Sequence, residues 1–190
     1  MKRTVILMAA VATMMIFGAC KSSKPVTPEQ RGRVEVDIPC LSESYDDDQY
    51  FRAVGTATNM NQQNARTAAY DAAKSMLMKR LGGLAKGLAT DYSRTMAGDA
   101  QMDKVQRAIE GEITTVIERL VNDSYKTCEK MYQNQAGNYE SYIAIRVSKA
   151  EIIRQAQSEL SKNQELEIEF NRDQFRKFAE KRMKEMQGKQ

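Results

Sequence analysis

The sequence predicts an α+β domain: a small three- to four-stranded sheet packed by a long Ala-rich helix and further helices, with an extended charged C-terminal helix. Three stretches carry that prediction. Residues 51–57, Phe-Arg-Ala-Val-Gly-Thr-Ala, feed a long run seeded with alanine, the pattern of a short strand followed by a helix lying close against a sheet. Residues 101–120 place Met102, Val105, Ile109, Ile113, Ile117 and Leu120 on one helical face. Residues 139–147 alternate, with Ser141, Ile143, Ile145 and Val147 on one face and Tyr142, Ala144 and Arg146 on the other.

In chain order, a targeting segment comes first. Lys2 and Arg3 form a basic start, and residues 4–17 form an apolar run too short to serve as a permanent membrane helix. It ends in Phe17-Gly18-Ala19-Cys20, the form of a bacterial lipobox, although Phe17 departs from the usual leucine. A signal peptidase needs small side chains before its cut, and acylation needs a thiol. Residues 1–19 are therefore expected to be removed and Cys20 to be lipidated. Each methylene of such an anchor contributes roughly 0.8 kcal/mol on burial in the bilayer. Losing Lys2 and Arg3 lowers Lys+Arg from 29 to 27 against 25 Asp+Glu, so the formal charge falls from +4 to +2. Lys21, where an aspartate would favour inner-membrane retention, points to the outer membrane, and the lack of an acidic run after it points to the periplasmic side. Residues 20–32, with Ser22, Ser23, Pro25 and Pro28, read as an extended tether.

The domain is expected over residues 33–160. Residues 34–38 alternate apolar and acidic and read as a short strand stopped by Pro39. Asp46-Asp47-Asp48 reads as a solvated acidic turn, because adjacent carboxylates without spaced partners do not converge on one calcium ion. Gly55 inside a strand marks a bulge or the close approach of another backbone. Residues 58–61 offer two candidate caps for the long helix. That helix shows one stripe of Ala65, Ala69, Ala72 and Met76, and an adjoining one of Ala73, Leu77, Leu81, Leu84 and Leu88. Gly82, Gly83 and Gly87 suggest a kink or a tight crossing, and the helix is expected to fade near Tyr92. Residues 121–133 have strand composition with poor alternation, and residues 134–138 form a hairpin turn. Ser148 and Glu151 are spaced as a reciprocal capping box opening a helix packed by Ile152, Ile153, Ala156 and Leu160.

From Ser161 onward, 14 of 30 residues are charged, so residues 161–190 read as a separate charged helix. Leu166, Phe170, Phe175, Phe178, Met183 and Met186 give it one apolar seam; docking on the domain is the plainer expectation and docking on a partner the alternative. Asp173 with Lys177 and Glu180 with Lys184 are favourable i,i+4 pairs.

The chemistry the chain lacks is as informative. With no histidine, it has neither the commonest general base near neutral pH nor the usual zinc ligand. No glycine loop follows a strand to cradle phosphate, and no basic patch with interleaved aromatics points to nucleic acid, so no cofactor and no nucleic-acid partner is expected. Ser148 and Lys149 are adjacent and do not face each other as a dyad. Beyond Cys20, Cys40 and Cys128 remain. In an oxidising compartment they are either a disulfide closing a long loop or two separate thiols.

Phe51-Arg52-Ala53-Val54-Gly55-Thr56, the alanines at 65, 69, 72 and 73, and Tyr139-x-x-Tyr142-Ile143-Ala144-Ile145 before a capped helix resemble the Lpp-twenty family. These are twenty-kilodalton outer-membrane lipoproteins similar to the N-terminal domain of flagellar assembly protein T. Val36-Asp37-Ile38-Pro39-Cys40 and the segment from Phe170 to Met186 look like a bacteroidete branch of it. The resemblance spans residues 34–186 through structural motifs, and it implies a small α+β envelope domain without catalytic residues. The resulting expectation is a non-enzymatic outer-membrane lipoprotein facing the periplasm, a structural or protein-interaction module with an envelope protein partner. The alternative is a regulator of an envelope enzyme such as a peptidoglycan synthase. Against it, a tether of about 13 residues reaches at most roughly 45 Å. A carboxylate-dependent hydrolase is the third reading.

Overall fold

The structure is a computed structural model and describes residues 37–98, 100–163, 166 and 170–187. In order these form β1 (Tyr50–Asn59), α1 (Gln62–Met96), α2 (Met102–Asn122), β2 (Tyr125–Gln133), β3 (Tyr139–Ser148), α3 (Lys149–Leu160) and α4 (Arg172–Gln187). All lie within one compact unit, Ile38–Gln190. The fold is α+β: three antiparallel strands in the order β1-β3-β2, with α1 across one face. Of the strand expected at 34–38, residues 34–36 fall outside the described residues, and Asp37 and Ile38 are not in a strand.

β3 is central, and its alternation sets the two faces of the sheet. Ser141, Ile143, Ile145 and Val147 point inward and are buried; opposite them on β1 stand Ala57, Gly55, Ala53 and Phe51. Gly55 faces α1 directly. A Cβ there would lie 2.1 Å from Ala69 O and 2.3 Å from Ala73 N, so strand and helix meet backbone to backbone and only glycine fits. The alanines of α1 are small for the same reason. Ala65, Ala69, Ala73, Leu77 and Leu81 are buried, a single stripe at four-residue spacing. Ala72 and Met76 fall beside that stripe, and Met76 is 51% exposed. The expected stripe through them is therefore displaced by one helical position, onto the face that runs through Ala73 and Leu77.

Asn61 is the cap of α1: its side chain accepts from Asn64 N at 3.0 Å, while Asn59 accepts from Asn61 N at 2.9 Å and holds the turn. The helix then runs unbroken to Met96, well past Tyr92. A Cβ on Gly82 or Gly83 would meet nothing within 4 Å, so neither is a crossing point, and nothing in the structure explains them. Gly87 is different: a Cβ there would press to 3.3 Å on the Arg182 guanidinium.

α2 buries Val105, Ile109, Ile113, Val116, Ile117 and Val121. The weak alternation of β2 has a local cause. The register against β3 shifts between Lys126 and Cys128, so Thr127 is an extra residue and reverses the parity of the strand. The hairpin at 134–138 is closed by Asn134, whose side chain accepts from Ala136 N and Asn138 N, with Gly137 at φ 82°. Ser148 caps α3 by accepting from Glu151 N at 3.3 Å, but the return half of the box is not made. The Glu151 carboxylate instead engages Arg154 and Gln155.

α4 belongs to the same unit as the domain. Phe175, Ala179 and Met183 are buried, and Leu166 is buried ahead of it. Tyr92, fully buried, is the hub. Its hydroxyl accepts from Asn171 N at 2.7 Å, and Phe170, Phe175 and Phe178 ring it at 5.6, 5.7 and 6.3 Å. Burial raises the Tyr92 pKa, with the Asn171 amide opposing. Asn171 also caps α4 by accepting from Gln174 N. Arg182 clasps Asp91 through two bonds of 2.6 and 2.9 Å in the space that Gly87 leaves open. The apolar seam therefore docks in cis.

Candidate functional site on the outer face of the sheet

Cys20 lies outside the described residues. Cys40 and Cys128 are joined in a disulfide, Cα to Cα 5.7 Å, across a sequence separation of 88. Cys128 sits on the outer face of β2 opposite Ala144 of β3, so the bond ties the chain just before β1 across the middle of that face. Cys40 takes up the bend with φ 63°, a left-handed backbone that few non-glycine residues adopt. A short 3-10 turn, Leu41–Glu43, follows it, and Ile38 and Leu41 remain partly exposed at 39% and 36%.

The acidic triplet is a solvated turn only in part: Asp47 and Asp48 are exposed, but Asp46 is not. The Asp46 side chain is fully buried, pairs with Arg80, and accepts from Arg52 N at 2.8 Å. Asp47 accepts from Gln49 N and Tyr50 N and pairs with Arg52 at 2.6 Å. Burial alone would raise the Asp47 pKa, but Arg52 and the two amides outweigh it and leave it lowered. The carboxylates cap and cover the start of edge strand β1, a use that appears only once β1 and α1 are placed. Among the described residues no group of three or more His, Cys, Asp or Glu is arranged to hold a metal ion.

Two hollows flank this end of the sheet. The larger, about 450 Å³, lies between the acidic loop, α3 and α4, and is lined by Asp48, Lys149, Ile153, Glu180, Met183 and Lys184 among others. Lys149 is 6% exposed. Its ammonium donates to Asp47 O at 2.5 Å and lies 4.8 Å from the centre of the Phe51 ring. Burial lowers its pKa against the pull of Asp46, Asp47 and Asp48. Gln187 at the end of α4 donates to the same Asp47 carbonyl at 2.5 Å. These groups join three elements of the fold, and Ser148 beside Lys149 is occupied as a cap.

The smaller hollow, about 260 Å³, opens where β1 and β2 begin and β3 ends, between the end of α2 and the start of α3. Register brings its residues together: Tyr125 and Arg52 both stand opposite Arg146, and Tyr50 opposite Ser148. The Arg146 guanidinium lies 4.4 Å from the Tyr50 ring centre and 5.1 Å from that of Tyr125. Ser124, 8% exposed, lines the same hollow, and its hydroxyl has no hydrogen-bond partner. Arg146 is assigned to the outer strand face by sequence alternation, but nothing in the sequence singles it out. Tyr50 and Tyr125 are 75 positions apart (125 − 50), and only the strand order makes them neighbours.

The carboxyls with clearly displaced titration all move down. Arg182 lowers Asp91, Lys126 lowers Glu129 against some burial, and Arg154 with Gln155 brings Glu151 to about 2. Each is held as an anion in an ion pair. Comparison of the chain with protein families, curated proteins and solved structures finds no match in any of the three.

Proposed function

We propose that this chain is a non-enzymatic lipoprotein of the cell envelope, resembling the Lpp-twenty type. It is anchored through Cys20 in the outer membrane, faces the periplasm, and acts as a structural or protein-interaction module. The observation that carries this reading is the lipobox, Phe17-Gly18-Ala19-Cys20, after an apolar run and before a polar tether. The Cys40–Cys128 disulfide is in keeping with it, since such bonds persist in oxidising compartments. So is the commitment of the charged groups around Lys149 to holding elements together.

Metabolic labelling with palmitate tests the anchor. The wild-type chain is expected to take up label and partition with outer membranes, globomycin to block its processing, and Cys20→Ser to abolish labelling. A wild-type chain that is unlabelled and soluble would remove the anchor. In-cell crosslinking with mass spectrometry then identifies the envelope partner.

A further inference from the structure

We infer that the hollow around Arg146 is a binding site for a neutral saccharide unit, stacked on Tyr125 and hydrogen-bonded by Arg146 and Asp123. The proposal deepens the interaction-module reading and rests on it only for the compartment in which the ligand would be met.

The residues suit a ligand better than they suit each other. Arg146 has two aromatic neighbours but no carboxylate in ion-pair range and no hydrogen-bond acceptor among the described residues. Buried Ser124 forms the floor of the hollow, its carbonyl accepting from Tyr70 Oη at 3.2 Å, so the wall beneath Arg146 is fixed in place. Tyr125 is 66% exposed and offers a flat apolar ring at the rim.

Charge decides the class. Arg146 contributes one positive group and Asp123 one carboxylate, while Glu151 is neutralised by Arg154. A simple anion meets Asp123; a simple cation meets Arg146. A neutral ring bearing hydroxyls both donates to Asp123 and accepts from Arg146, and its C–H face covers an aromatic ring. An N-acetyl group adds a carbonyl for the guanidinium and an N–H for the Asp123 carboxylate. A free amino acid or dipeptide has the two charges but leaves the Tyr125 face bare. The volume suits one ring, the end or one residue of a longer chain.

The chain has no tryptophan, so tyrosine emission and saturation-transfer NMR on the purified full-length protein are direct reports. The probes are N-acetylglucosamine, its β-1,4 disaccharide, alanyl-alanine and inorganic phosphate. Saturable binding of the disaccharide is expected, weakened about tenfold or more in Arg146→Gln and in Tyr125→Ala. Tyr45→Ala, altering an exposed tyrosine outside the hollow, should bind as wild type. Thermal melts of each variant confirm that the fold is kept. Absence of saccharide binding, equal binding by Arg146→Gln and wild type, or preferential binding of the dipeptide or phosphate would overturn the assignment. Palmitate labelling is independent of all these outcomes, so the anchor and the site fail separately.

Discussion

The two faces of one three-stranded sheet are built on opposite terms. On the inner face, β1 and β3 present Phe51, Ala53, Gly55, Ile143, Ile145 and Val147 to α1, and the closest contact is backbone on backbone. On the outer face the same strands present Tyr50, Arg52, Tyr142 and Arg146, and β2 adds Tyr125, Cys128 and Tyr132. That face is crossed by a disulfide instead of a helix, and its aromatic rings and Arg146 stay in reach of water. A face closed at van der Waals distance has no room for a ligand, whereas one held by a covalent strap can leave polar groups unpaired. Fold and recognition are thus divided between the two sides of a single sheet.

Gly55→Ala carries the largest expected effect on the inner face. Its methyl would enter the space of Ala69 O and Ala73 N, and more than about 4 kcal/mol of stability should be lost. A denaturant midpoint near wild type would show that strand and helix do not touch as described. On the other face, Cys40→Ser with Cys128→Ser should cost about 4 kcal/mol on the chain-entropy account. Hydrogen exchange is then expected to rise first in the 3-10 turn and at the outer-face residues of β2, with β3 still protected; uniform loss of protection would put the bond at the centre of the fold.

Acid should act on the perimeter. Asp91, Glu129 and Glu151 have folded pKa values below their unfolded values of 3.8, 4.5 and 4.5. Their contribution is complete above those values and is lost as pH falls through the folded ones, down to about 2 for Glu151. Tm measured from pH 6 to 2 should therefore stay level and then drop below about pH 4.5. A drop centred above pH 5.5 would require a different titrating group. Arg146→Ala should lower stability by less than about 1 kcal/mol, since only cation–π contacts at a wet surface are lost. A larger loss would make Arg146 structural and blur the division between the faces. Gly83→Ala, whose methyl meets nothing, should raise stability by a few tenths to about 1 kcal/mol. A destabilised variant in thermal melts would reveal a constraint on α1.

Much of the inner face was legible in the chain. The alternation of residues 139–147, the face of α2 and the close approach at Gly55 depend only on periods of two and 3.6 and on the missing side chain of glycine. The outer face was scarcely legible. Thr127 hides the parity of β2 because a bulge is defined by its partner strand. Asp46 looks solvated until Arg80, 34 residues on, arrives over it. Tyr50, Tyr125 and Arg146 become one cluster only through register. The docking of α4 on the domain was the plainer reading of its apolar seam, but the groove receiving that seam is not visible in sequence.

Local periodicity and residue chemistry at fixed spacing were enough to specify the α+β class and the positions and types of most elements. Tertiary structure alone decided which asparagine caps α1, that Cys40 meets Cys128, that α4 folds back on the domain, and which charged groups are spent and which are left over. Those are facts about distant residues, and the balance between a satisfied ion pair and an unmet guanidinium exists only once the chain has brought them together.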